Sequence, residues 1–117
     1  MSAHDSRAVA ETYFQAWRTK DYDLYRSILA DDVVFDGPLG HEEGKAAVAN
    51  AFEGLGNITT EVVVDKMFVD GADVTSWFTL STKPATLSPV VNWSHIENGK
   101  ITRIQVTFDP RPLLEAS

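Results

Sequence analysis

Near Asn57 the hydrophobic period of this chain changes, and that change constrains the fold more than any other feature of the sequence. Before it, apolar residues recur at helical spacing; after it, stretches rich in β-branched residues are closed by Asp-Gly and Asn-Gly pairs. Helices first and strands afterwards argue against an alternating βαβ chain. They argue for an α+β domain in which helices cover one face of a curved, antiparallel or mixed sheet of about four to six strands. At 117 residues the chain has length for one core, hence a single domain over 1–117.

In the first half, Ala10, Tyr13, Phe14 and Trp17 fall at i, i+3, i+4 and i+7, one stripe of a helix that Asp5 or Ser6 can cap. That helix should stop near Thr19-Lys20. Asp21 then caps a shorter helix in which Leu24, Tyr25, Ile28 and Leu29 share a face, and the resulting hairpin ends at Ala30-Asp31-Asp32. Val33-Val34-Phe35 is a short strand, closed by the corner Gly37-Pro38-Leu39-Gly40. A third helix runs from Gly44 to Phe52 and ends at the glycines at 54 and 56.

In the second half, Ile58 to Val69 is a strand whose two phases, Val62 with Val64 and Met67 with Val69, call for a bulge near Asp65-Lys66. Asp70-Gly71 turns it into a strand over Val74 to Leu80. Lys83-Pro84 through Ser88-Pro89 is expected to be a loop. Val90 to Ile96 and Ile101 to Phe108 flank Asn98-Gly99, a strong hairpin signal, and the Pro-rich tail after Asp109 cannot extend a central strand. A sheet that curls around a helix leaves a cone with an internal pocket, a natural small-molecule site.

The net charge of -7 opposes binding to nucleic acid or to an anionic membrane surface. There is no cysteine, the three histidines show no i, i+3 or i+4 pairing, and no Gly-rich phosphate loop occurs, so neither a metal nor a cofactor is expected. No basic segment leads into an apolar run, so a cytoplasmic address is the expectation. His4 is expected to be disordered.

Ala30-Asp31-Asp32-Val33-Val34-Phe35, the Gly-Pro-x-Gly corner, Gly44-Lys45, and Ile96-Glu97-Asn98-Gly99-Lys100-Ile101 followed by Phe108-Asp109 resemble the SnoaL-like branch of the nuclear transport factor two-like superfamily. The likeness covers nearly the whole chain. It implies the cone fold strongly and an activity weakly, because this fold hosts several chemistries. Within it the chain is distantly similar to ketosteroid isomerase, in which an Asp base moves a proton while a Tyr and a protonated Asp bind the oxyanion.

By that resemblance Tyr13 falls at the oxyanion-binding tyrosine, and Asn92, always a donor, falls at the protonated Asp. The base, which precedes the corner proline in that family, falls at Gly37; Asp36 is one residue earlier. Either Gly37 bends the chain enough to turn Asp36 inward, or strand alternation points Asp36 away. His41, just past the corner, is a second candidate for moving the proton. Trp17, Phe35, Phe52, Phe78 and Phe108 are expected to line the pocket.

Trp93, out of phase with Asn92, should lie outside the sheet near His95 and Trp77 or Thr79, where it suits a homodimer contact. The expected function is therefore small-molecule binding, with cofactor-independent isomerase or cyclase chemistry on an apolar carbonyl compound. The alternatives are a non-catalytic ligand-binding or dimerisation module, and hydration or dehydration in the same pocket.

Overall fold

A computed structural model describes residues 3–116, with side chains described from 5 to 115; the side chain of His4 lies outside the described residues. The elements in order are α1 (Ala3–Thr19), α2 (Tyr22–Ser27), β1 (Leu29–Gly37), β2 (Gly40–Glu43), α3 (Lys45–Ile58), β3 (Thr59–Asp70), β4 (Asp73–Thr82), β5 (Thr86–Glu97), β6 (Lys100–Thr107) and α4 (Arg111–Ala116). The architecture is α+β, as the change of period requires. Six strands form one curved, unclosed sheet in the order β2-β1-β6-β5-β4-β3. All neighbours are antiparallel except β1 and β6, which run parallel.

The stripe of α1 is buried as its spacing dictates: Ala10, Tyr13, Phe14 and Trp17 are each under 5% exposed. The helix starts before Asp5 and Ser6, so neither caps it. Asp5 lies in the first turn, where its charge opposes the helix dipole favourably, and Ser6 is buried. Asp21 does cap α2, its carboxylate accepting from Leu24 N at 3.1 Å.

Four boundaries differ from expectation, each for a packing reason. β1 begins at Leu29, so Ala30-Asp31-Asp32 is strand and not the end of a helix; Leu29 pairs with Ile101 across the parallel ladder. Gly40 to Glu43 is a strand hydrogen-bonded to β1, with Asp36 opposite His41. α3 continues through Gly54 and Gly56 to Ile58, because Gly56 is a packing notch. A Cβ there would meet the Tyr22 hydroxyl at 2.5 Å, so glycine allows helix and tyrosine to touch. β5 begins at Thr86, which takes Ser88-Pro89 into the strand.

Proline is tolerated at 89 because the ladder is irregular there: Phe78 pairs with Val90 but Leu80 with Leu87, giving β5 one extra residue. β6 ends its pairing at Val91–Thr107, so no second strand needs the missing donor. In β3 a register shift falls where the two phases call for it, between Val64 and Lys66. At Asn98-Gly99 both residues have positive φ, 52° and 77°, as a type I′ hairpin demands. Among the described residues no helix is long and apolar enough to cross a membrane.

Candidate functional site

The inner face of the sheet, α1, α2 and α3 enclose a cavity of about 230 Å³. Its wall is mostly aromatic and aliphatic, with Trp17, Tyr25, Phe35, Phe52 and Phe108 among the lining residues. The corner Gly37-Pro38-Leu39-Gly40, the tight turn between β1 and β2, forms part of that lining, as does Leu113 of α4. α4 is held at its start by Asp109, which accepts from Arg111 N at 3.0 Å and from the Arg111 guanidinium at 2.6 Å.

Tyr13 reaches the cavity with its ring but uses its hydroxyl elsewhere. The hydroxyl donates to Asn92 Oδ1 at 3.2 Å, and Asn92 Nδ2 in turn donates to Ser94 Oγ at 3.0 Å. Asn92 is 2% exposed and is not a lining residue, so its amide ties α1 to β5 and does not point at a ligand. Tyr25 hydrogen-bonds Tyr13, and its ring stacks on Phe52 with centroids 3.6 Å apart and planes 4° from parallel. Burial pushes both phenol pKa values up; for Tyr13 the hydrogen bond with Tyr25 partly offsets the rise, while for Tyr25 the same bond adds to it. Both phenols therefore stay neutral donors through the ordinary pH range.

Tyr25 was legible only as a residue on the buried face of the second helix. Its polar tip on an otherwise apolar stripe is the signal that marks it for the site. Phe78 is the reverse case: it is fully buried, packs edge-on against Phe14 at 5.1 Å and Trp17 at 5.6 Å, and belongs to the core behind the cavity wall.

Asp36 does not enter the cavity. Phe35 and Gly37 line it, so strand alternation sends the carboxylate between them to the outer face, and Gly37 does not bend the chain enough to reverse this. There Asp36 Oδ1 lies 2.5 Å from His41 Nδ1, Asp36 Oδ2 accepts from Arg103 at 3.2 Å, and His41 Nε2 lies 2.8 Å from Glu43. His41 is thus also outside. A second group of the same kind sits on β4 and β5, where Asp73 accepts from Trp93 Nε1 at 2.9 Å and pairs with His95 Nδ1 at 2.7 Å.

The hydrogen bond that His41 donates to Asp36, then the one to Glu43, raises the His41 pKa above 6.5, and the first of these bonds lowers that of Asp36. Because the histidine value is raised in the folded state, its contribution to stability is complete below 6.5 and is lost as pH rises through the native value. The Asp36 contribution is present above 3.8 and is lost as pH falls through its lowered native value. Asp36→Asn should accordingly lower the His41 midpoint followed by NMR of the ring protons. An unchanged midpoint would dismiss the pairing.

Among the described residues no group of three or more His, Asp or Glu side chains is arranged to hold a metal ion. Glu42, unremarked in the sequence reading, lines the cavity: it pairs directly with Phe35, and residues opposite one another in an antiparallel pair project to the same side.

Residues 10–104 match the model of the SnoaL-like domain family. A solved NTF2-like protein of unknown function from Cytophaga hutchinsonii is 31% identical, with a TM-score of 0.85 over 93% of this chain and 94% of that one. A LEH-like epoxide hydrolase from M. tuberculosis is 21% identical, with a TM-score of 0.80 over 97% of this chain and 89% of that one. A de novo designed protein with a curved β-sheet is 23% identical, with a TM-score of 0.86 over 99% and 94%. These last two likenesses speak to the fold alone. No functionally curated protein matches the chain. The match over 10–104 and the identity to the Cytophaga hutchinsonii protein agree with the geometry of the sheet and helices: this chain belongs to the SnoaL-like family of nuclear transport factor two-like proteins.

Proposed function

We propose that the protein binds a small, largely apolar molecule in the cone. The observation that carries this reading is the cavity of about 230 Å³ with aromatic walls and the two tyrosines at positions 13 and 25. Apolar cavities with a few convergent polar groups are the common form of small-molecule sites. The ring stack of Tyr25 on Phe52 holds the wall rigid, so little order must be created on binding.

Proton transfer on a carbonyl compound is a second reading, in which a neutral phenol of Tyr13 or Tyr25 would have to leave its present partner to donate to a developing oxyanion. Its weakness is that the two expected bases, Asp36 and His41, are engaged with one another on the far side of the sheet, which leaves Glu42 as the carboxylate at the cavity wall. Binding without turnover needs no base and is preferred.

The test is calorimetric titration with 1-naphthylmethanol. Saturable binding is expected, with a rise in Tm of roughly 10 °C at 100 times Kd. Val90→Phe, which pushes a ring into the cavity from a buried lining position, should remove it. No saturable heat from the folded protein, with this alcohol or with the corresponding amine, would overturn the reading.

Homodimerisation through the outer face of the sheet is part of the same proposal. Phe68 and Trp77 are 58% and 45% exposed there, beside Trp93. Light scattering should give twice 12.9 kDa, and Trp77→Asp should return the mass to 12.9 kDa. A monomeric mass for the unaltered protein at micromolar concentration would reject it.

A further inference from the structure

The two faces of the β1–β2 hairpin handle charge in opposite ways. Outside, Asp36, His41, Glu43 and Arg103 are all paired with one another. Inside, Glu42 stands opposite Phe35, partly buried at the cavity wall, and among the described residues it has no hydrogen-bond or ion-pair partner. The lining contains no Lys, Arg or His, so nothing in the cavity compensates its charge.

A ligand filling the cavity must treat that carboxylate in one of two ways. An apolar group laid over it removes water and returns nothing, which costs free energy. A protonated amine returns a charge-assisted hydrogen bond, and its ammonium would lie beside the Phe35 ring, which stands opposite Glu42 on the same side of the hairpin. The net charge of -7 also raises the local concentration of cations over that of anions. Position 37 leaves room beside the corner: Gly37 lines the cavity without a side chain, and so does Gly40 opposite it.

Resting on the reading of the cone as a binding site, we propose that its ligand is a small protonated amine, with the ammonium group held by Glu42 and the apolar body against the aromatic wall. Glu42 then sets ligand class, and the aromatic residues set ligand size.

The experiment compares 1-naphthylmethylamine with 1-naphthylmethanol by calorimetry at fixed ionic strength, in the unaltered protein and in Glu42→Gln. The amine should bind about tenfold tighter or better, the range of a hydrogen bond to a charged group, and Glu42→Gln should bring the amine-to-alcohol ratio near unity. Equal affinities in the unaltered protein would overturn the proposal. So would a preference that survives Glu42→Gln, which would assign it to the overall negative charge. If the alcohol binds and the amine binds no better, only this proposal falls; if neither binds, the cavity reading falls with it.

Discussion

Gly37→Asp should raise the rate at which the protein moves a proton on a carbonyl compound. By its resemblance to ketosteroid isomerase, position 37 is where a base would sit, and it lines the cavity, whereas the acid at 36 does not. The backbone there needs no positive φ, and an added Cβ would meet the Phe35 ring edge at 3.3 Å, which a shift of a few tenths of an ångström relieves, and the Val106 carbonyl oxygen at an ordinary 3.8 Å. A carboxylate placed among apolar walls has its pKa raised, towards the value of a useful base. Conversion of 3-cyclohexen-1-one to its conjugated isomer, followed by absorbance, should rise roughly 10²–10⁴-fold over the unaltered protein, the usual contribution of a positioned base. A folded variant with no gain would show that the tyrosine pair cannot serve an oxyanion while Tyr13 donates to Asn92.

Phe14→Ala should be among the most destabilising single changes in the molecule. Phe14 is 2% exposed, lies nearly parallel to Trp17 with centroids 6.2 Å apart, meets Phe78 edge-on, and is not a cavity-lining residue. Truncation leaves a void enclosed by rings that helix and sheet hold in place, so the site can collapse little. The expected loss is about 3–5 kcal/mol, or roughly 10–20 °C in Tm. Chemical denaturation measures it directly, and a loss under about 1 kcal/mol would mean the core repacks around the gap. Leu39→Ala, at a 55% exposed position on the corner, serves as the control within about 0.5 kcal/mol.

Period and turn chemistry made most of the fold legible. The stripe on α1, the Asp21 cap, the β3 bulge and the Asn98-Gly99 hairpin are all local, and each is set by residues within a few positions of one another. What escaped was decided by distant partners. Gly56 looks like a helix terminator until Tyr22 is seen against it, and Pro89 looks like a loop residue until the extra residue in β5 is seen to absorb it. Gly40 to Glu43 carries no strand period of its own and is a strand only because β1 offers it a ladder.

The site was legible in type more than in direction. Tyr13, Trp17, Phe35, Phe52 and Phe108 line the cavity, whereas Phe14 and Phe78, also on inward phases, are taken up by the core behind it. Asp36 is out and Glu42 is in because a register of single residues, Phe35 with Glu42 and Asp36 with His41, fixes which acid faces which way. No motif at the corner encodes that register; the two-residue turn at Pro38-Leu39 does.

The parallel pairing of β1 with β6 also orders the events by which the chain reaches this form. Helices and the β3–β4–β5 meander can assemble from neighbours in sequence, but Arg103 and Asp36, joined at 3.2 Å, are 67 positions apart. Closing so long a loop is entropically costly before any contact repays it, which makes such pairings slow. The hairpin that carries Glu42 and the corner is anchored to the rest of the sheet through β6 alone. A nascent chain therefore has no enclosed cavity until β6 has emerged and joined β1, so the walls of the cavity close late in folding.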